Sequence, residues 1–185
     1  MSPEFAEELA RVRRDARELY SMAELDAAID QMAAAITAAH GEHDPLLLTV
    51  MNGGVVLAGR LLTRLDFPLE IDYLHATRYR GETAGSDLQW RVAPAASLKD
   101  RHVIILDDIL DVGTTLLAVI DACKAQGAAS VSTAVLVDKV HDRKARPGLK
   151  ADYTGVEAED AYLFGAGMDY RGYWRNAPGI FAVSE

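Results

Sequence analysis

Three carboxylates and a Gly-Thr-Thr turn crowd into the nine residues from Asp107 to Thr115. The run before them, Val103-Ile104-Ile105-Leu106, is continuously apolar and predicts a buried strand that delivers Asp107 and Asp108 to the rim of a sheet. Asp111 follows, then Val112-Gly113-Thr114-Thr115 at the start of a predicted helix. A helix N-terminus presents unpaired N–H groups and a partial positive charge, which suit a phosphate monoester. Gly113 lets the backbone approach closely, and the threonine hydroxyls add donors. Asp107 and Asp108 suit ribose hydroxyls or Mg²⁺. A lone Asp-Asp pair is usually a solvated strand end, but the density of functional groups here favours a site.

Other segments offer complementary chemistry. Asn52-Gly53-Gly54 follows an apolar run, Leu46 to Met51, and reads as a strand, a tight glycine turn and a helix start. Val131 to Val137 is a second continuous apolar strand, ending in Asp138-Lys139. Leu69 to Tyr79 alternates as a strand, with Ile71 and Tyr73 on one face. Arg80 to Asp87 reads as an exposed loop, and Leu88 to Val92 as a returning strand. The stretch from Asp160 to Arg175 is dense in aromatic residues, a pattern that a simple core also produces. His40-Gly41-Glu42-His43 has metal-ligand spacing, but before Asp44-Pro45 it reads as a polar helix end.

The elements that must position these groups are legible in outline. The first forty residues read as two helices, Glu4 to Leu19 and one opening at Ser21. Ser21-Met22-Ala23-Glu24 has the capping-box pattern, and Leu25, Ala28, Ile29, Met32 and Ile36 make an apolar stripe. A helix is expected from about Leu116 to Ala125, closed by Gly127; Tyr153 to Val156, Tyr162 to Phe164 and Ile180 to Val183 are weaker strands. Apolar strands alternating with helices predict an α/β fold with a mainly parallel sheet. In such sheets ligands collect beyond the carboxyl ends of the strands, where Asn52-Gly53-Gly54, Asp107 to Thr115 and Asp138-Lys139 should converge.

With 28 acidic and 19 basic residues, the net charge is −9, which disfavours nucleic acid and anionic membrane as partners. An anionic ligand must then be met by backbone dipoles, a few placed cations or a metal ion. The 185 residues fit one domain spanning 1–185, half of it apolar. The single cysteine, Cys123, lies in an apolar helical pattern and reads as a buried, inert thiol. With neither a signal-peptide core nor a membrane-spanning run, a cytoplasmic location is expected.

The segment Val103 to Thr115 resembles the phosphoribosyl pyrophosphate signature of the type I phosphoribosyltransferases: apolar strand, two acids, two apolar residues, Asp, variable, Gly, variable, Thr. The resemblance runs from about Leu46 to the C-terminus and is strongest to the hypoxanthine-guanine phosphoribosyltransferases. It implies a type I phosphoribosyltransferase fold: a mainly parallel twisted sheet flanked by helices, with a flexible hairpin lid at 76–92 and a small base-binding hood at 152–185. It implies transfer of a phosphoribosyl group to hypoxanthine or guanine, Mg²⁺ as cofactor, and a homodimer or homotetramer. By the same resemblance Asp107, Asp108, Asp111, Val112, Gly113, Thr114 and Thr115 bind the phosphoribosyl group, and Asp111 is the general base at N7. Asn52, Gly53, Gly54 and Arg175 meet the pyrophosphate, often with a cis peptide before the glycines. Many family members carry Lys where this chain has Asn52, so one positive charge is missing. Arg78 and Tyr79 belong to the lid, which keeps water from the ribosyl cation-like transition state. Lys139 reads O6 of the base, Tyr162 stacks on the purine and the backbone of Leu163 meets its pyrimidine edge. Asp107, Asp108 and Asp169 are the implied metal ligands.

Rival classes fit less well. A response-regulator receiver domain needs a lysine at the end of a later strand, and no convincing apolar strand ends at Lys150. Neither a P-loop nor a Rossmann glycine pattern is present. A phosphoribosyltransferase-like regulatory nucleotide-binding protein would keep the signature; an RNA-binding form needs a basic face, which the charge opposes.

Overall fold

The computed structural model describes residues 1–78 and 88–184. In chain order the elements are α1 (Pro3–Asp15), β1 (Arg17–Ser21), α2 (Met22–His40), β2 (Leu46–Val50), α3 (Val55–Leu62), β3 (Glu70–Arg78), β4 (Leu88–Val92), β5 (His102–Leu110), α4 (Thr114–Ala125), β6 (Ser130–Lys139), β7 (Tyr153–Ala158), β8 (Leu163–Phe164) and β9 (Gly179–Ala182). The main sheet has the order β4-β3-β2-β5-β6-β7. The pairs β3-β2, β2-β5, β5-β6 and β6-β7 are parallel, and β4 returns antiparallel along β3. A second, smaller sheet has the order β1-β9-β8. The α/β class and mainly parallel sheet expected from the sequence are what the chain forms.

The continuous apolar runs are explained by burial on both faces, because alternate residues of a strand point to opposite sides. Leu46 and Leu48 of β2 and Val103 and Ile105 of β5 face α4, joining Leu116, Val119 and Cys123 in one core. Leu47, Ile104 and Leu106 point the other way, into a core with Leu25, Ile29 and Ile36 of α2 and Leu57 and Leu61 of α3. Cys123 is fully buried, and its desolvation raises the thiol to about 11, so it is inert as expected. Among the described residues no helix is long and apolar enough to cross a membrane.

Ser21 caps α2 in the expected capping box: its Oγ accepts from the Glu24 N–H, and the Glu24 carboxylate accepts from the Ser21 N–H at 2.8 Å. The reading of Glu4 to Leu19 as helix is corrected. Helix α1 stops at Asp15, and Arg17–Ser21 is a strand pairing antiparallel with β9. Its partner comes from the other end of the chain, so no local pattern reports the pairing. Two other boundaries move by a few residues. Strand β5 runs through the acidic pair to Leu110, still paired with β6 at Asp107, Ile109 and Leu110, and α4 begins at Thr114. His40 ends α2 with Gly41 as its cap, so His40 to His43 is the helix end that the sequence suggested.

The N-terminal elements brace the C-terminal ones. The Trp174 indole N–H donates to the Leu9 carbonyl at 3.0 Å, and Glu8 accepts from the Tyr170 hydroxyl at 2.8 Å and Arg171 Nη1 at 2.7 Å. Tyr20 of β1 donates its hydroxyl to the Glu157 carbonyl of β7 at 2.6 Å, tying the small sheet to the large one. Helix α2 buries its stripe against the main sheet, with Ile29 wholly enclosed. Truncating Ile29→Ala should therefore lower the unfolding free energy by about 2–5 kcal/mol, the usual cost of a buried cavity. Urea denaturation reads this directly, and a loss under about 1 kcal/mol would mean that α2 is not part of the core.

Candidate active site

The carboxyl ends of β2, β5 and β6 open into one cleft of about 370 Å³. Its walls include Asn52 and Gly53 after β2, Asp107, Asp108 and Asp111 from β5 and its loop, and Lys139 from β6. Tyr162, Leu163, Asp169 and Arg175 close it from the small-sheet side. An adjoining hollow is lined by Asp107, Asp108, Asp111, Val112, Gly113, Thr114 and Thr115. The residues singled out in the sequence are thus brought together, Gly54 standing just behind as the start of α3. Arg78 ends β3, and Tyr79, with the rest of the lid loop to Asp87, lies outside the described residues.

The two acids are tightly confined. A Cβ built on Gly53 would sit 2.0 Å from Asp108 Oδ2, so only glycine lets the turn after β2 pass the carboxylate. The Met51-Asn52 peptide is cis. The Asp108 N–H donates to Asp107 Oδ1 at 2.9 Å. Desolvation, with the charge of Asp108 added, pushes the Asp107 carboxyl well above the usual carboxylate range. Desolvation also raises Asp108, opposed by its hydrogen bond with Asp107 and by Arg175. Arg175 Nη1 lies 3.6 Å from Asp108 Oδ2 and donates to the Gly167 carbonyl at 2.6 Å, while Nη2 pairs with Asp169 Oδ1 at 2.6 Å. A single guanidinium is therefore shared between two of the three acids.

In the adjoining hollow, Gly113 takes φ +84° as the residue before α4, and a Cβ there would meet Leu149 Cδ2 at 2.4 Å. No side chain caps α4, which leaves its first N–H groups without a side-chain partner where Thr114 and Thr115 line the hollow. At the other end Tyr162 is 54% exposed and stands edge-on to Tyr170, with ring centroids 5.5 Å apart. It is a large ring face offered at the cleft mouth. Lys139 is buried, its Nζ 3.2 Å from Asp111 Oδ2 and 3.9 Å from Asp160 Oδ1. Burial alone would raise Asp111, but hydrogen bonds from His141 and Lys139 outweigh it and leave this carboxylate lowered, hence ionised at neutral pH.

Sequence reading passed over His141, Arg143, Lys144 and Asp160 in this constellation. His141 Nε2 lies 2.8 Å from Asp111 Oδ1. Arg143 Nη2 donates to both oxygens of Asp160 at 2.6 Å. Lys144 Nζ donates to the Leu110 and Asp111 carbonyls at 2.7 and 2.9 Å and to Asp138 Oδ1 at 2.7 Å. All but Asp160 lie in the irregular connection after β6, whose basic residues carry no motif; its basic character was the one available signal.

Comparison with known proteins agrees with this geometry. The family described as phosphoribosyl transferase domain matches residues 15–171. The hypoxanthine-guanine-xanthine phosphoribosyltransferase of Tritrichomonas foetus is 30% identical over 169 residues, covering 91% of this chain and 92% of its own. The hypoxanthine-guanine phosphoribosyltransferase of Streptococcus pneumoniae is 31% identical over 168 residues, covering 90% and 92%. The crystal structure of a hypoxanthine phosphoribosyltransferase from Staphylococcus aureus superposes with a TM-score of 0.86 at 26% identity, covering 93% of this chain and 94% of its own.

The strain in the acidic pair has a measurable sign. A folded-state pKa above the unfolded value means that the folded state holds its proton more tightly. Stability then falls as pH rises from the ordinary carboxylate range through the raised value, and stays lower above it. Asp107→Asn keeps the shape and removes that penalty, so in chelator at neutral pH its thermal midpoint should exceed the parent's. The gain should vanish as pH drops to the ordinary carboxylate range; a variant no more stable than the parent at neutral pH contradicts the assignment.

Proposed function

Because the chain belongs to the phosphoribosyltransferase family, we propose that it transfers the 5-phosphoribosyl group of phosphoribosyl pyrophosphate to N9 of hypoxanthine or guanine. The products are IMP or GMP and pyrophosphate, and the role is purine salvage. The observation that carries the choice of base is the Lys139 ammonium, buried beside Asp111 in the wall of the cleft that the exposed Tyr162 also lines. An ammonium donates to O6 of a 6-oxopurine but cannot accept from the 6-amino group of adenine, and a donor left unpaired in a buried site costs about 1–3 kcal/mol.

The remaining roles are those the family resemblance implies, supported for the described residues by their place in the cleft. The free N–H groups of Val112 to Thr115 and the threonine hydroxyls cradle the 5-phosphate. Asp107 and Asp108 hold the ribose hydroxyls. Asn52, Gly53, Gly54 and Arg175 receive the pyrophosphate, and Arg78 and Tyr79 keep the lid role that the resemblance implies. Tyr162 stacks on the base, and the Leu163 backbone meets its pyrimidine edge. As pyrophosphate leaves C1 and N9 attacks, Asp111, already ionised, takes the N7 proton.

The donor set fits Mg²⁺. Asp107, Asp108 and Asp169 are hard oxygen ligands, and the carboxyls of the first two stay raised despite the nearby Arg175 guanidinium. When bound there with the substrate, the ion neutralises charge developing on the leaving pyrophosphate. A homodimer or homotetramer working in the cytoplasm completes the reading, supported by exposed Val55, Ile71 and Tyr73 lining an apolar groove beside α3.

The test is a spectrophotometric assay with phosphoribosyl pyrophosphate, offering hypoxanthine, guanine, xanthine and adenine in parallel. Turnover of hypoxanthine or guanine that stops on chelation of Mg²⁺ is expected; turnover of no base would leave a regulatory phosphoribosyl-binding protein instead. In the same assay Lys139→Gln, whose amide can accept as well as donate, should raise kcat/KM for adenine relative to hypoxanthine by about tenfold. An unchanged ratio contradicts the role of Lys139.

A further inference from the structure

His141 stands two residues beyond β6 with its side chain only 3% exposed. Its Nδ1 accepts the backbone N–H of Arg143 at 3.0 Å, and its Nε2 lies 2.8 Å from Asp111 Oδ1. A ring nitrogen that accepts an N–H carries no proton, so the proton of the ring sits on Nε2 and points at the carboxylate. With both nitrogens engaged, the ring is a fixed donor and offers no free lone pair to carry a proton onward. Asp111 itself follows the last residue of β5, and its side chain is 43% exposed. Such a carboxylate would otherwise sample several rotamers.

Three groups, one at the end of β6 and two from the connection after it, hold it. Lys139 Nζ takes Oδ2 at 3.2 Å, His141 takes Oδ1, and Lys144 Nζ takes the Asp111 carbonyl at 2.9 Å. The connection is anchored in turn by Arg143, paired to Asp160, and by the Ala145 N–H donating to the Val112 carbonyl at 2.8 Å. Asp111, His141 and Asp160 also bring three metal-capable donors within 4.8 Å of one another. The Lys139 ammonium already lies between the two acids, at 3.2 and 3.9 Å, which opposes a metal ion there.

We infer that His141 is a positioning residue: it fixes the rotamer of Asp111 through Oδ1, so that the carboxylate meets N7 of the base without reorganising. The inference rests on the reading of Asp111 as the proton acceptor. Orientation of an acceptor that acts in the transition state enters kcat and leaves the binding of phosphoribosyl pyrophosphate alone. A substitute that places an N–H where Nε2 stood should work. Glutamine does so, whereas the asparagine amide falls where Nδ1 was and does not reach.

The experiment measures kcat, KM and thermal midpoints for His141→Ala, His141→Asn, His141→Gln, Asp111→Asn and the Ala/Asn double variant, with hypoxanthine and phosphoribosyl pyrophosphate. The expected result is a kcat loss of about tenfold in His141→Ala, with KM for phosphoribosyl pyrophosphate within about twofold. His141→Gln recovers most of it, His141→Asn does not, and His141→Ala costs nothing further in the Asp111→Asn background. A His141→Ala kcat within about twofold of the parent, equal losses in the Ala and Gln variants, or the same loss in both backgrounds overturns the inference. If Asp111→Asn itself turns over at the parental rate, the reading of Asp111 fails instead. Lost turnover in Asp111→Asn with none in His141→Ala sinks the positioning role alone.

Discussion

Asp107 and Asp108 stand side by side on a strand whose preceding residues, Val103 to Leu106, are wholly buried, in a chain already carrying nine excess negative charges. Burial raises both carboxyls, and the charge of Asp108 raises Asp107 further, so the ionised pair strains the fold. Much of the surrounding architecture serves that pair. Gly53 is glycine because any side chain would strike Asp108. Arg175 reaches across from the C-terminal segment to share one guanidinium between Asp108 and Asp169. The hollow at the start of α4 is lined by Gly113, Thr114 and Thr115 and by no lysine, so the anion site proposed there would need no basic surface.

The other half of the cleft depends on long-range bracing. Leu163 belongs to, and Tyr162 directly precedes, a strand of the small sheet, whose core, Phe164 stacked on Phe181, is too slight to stand alone. Strand β1 pairs with β9, Arg13 lies over Phe181 at 4.1 Å, and Leu9 and Glu8 accept hydrogen bonds from the segment carrying Arg175. The N-terminal elements thus hold the aromatic wall at a set distance from the acids of β5. Function in the cleft and stability at the chain ends are coupled through these contacts.

What the sequence disclosed follows from which forces are local. A run of four buried aliphatics, a helix start and a capping box are set within a few residues, so β5, the phosphate turn and α2 were legible, and with them Asp107 to Thr115. Lys139 was legible because it ends an apolar strand. Strand β1 was not, since Arg17 to Ser21 continues the helical composition around it and gains its ladder only from β9. His141 was hidden for a related reason: its partner Asp111 lies thirty residues earlier, and only the folding of the β6-β7 connection over the cleft joins them.

On the function proposed, carboxylates and backbone dipoles, not a basic surface, let this chain hold a polyanion. Calorimetric titration of the protein with phosphoribosyl pyrophosphate, in Mg²⁺ and again in chelator, tests it most directly. Binding at least about tenfold weaker without the cation is expected, since Asp107, Asp108 and Asp169 would then repel the ligand that a metal-loaded site recruits. Equal affinity in both conditions would contradict it and shift recognition onto Arg175 and the helix N-terminus alone.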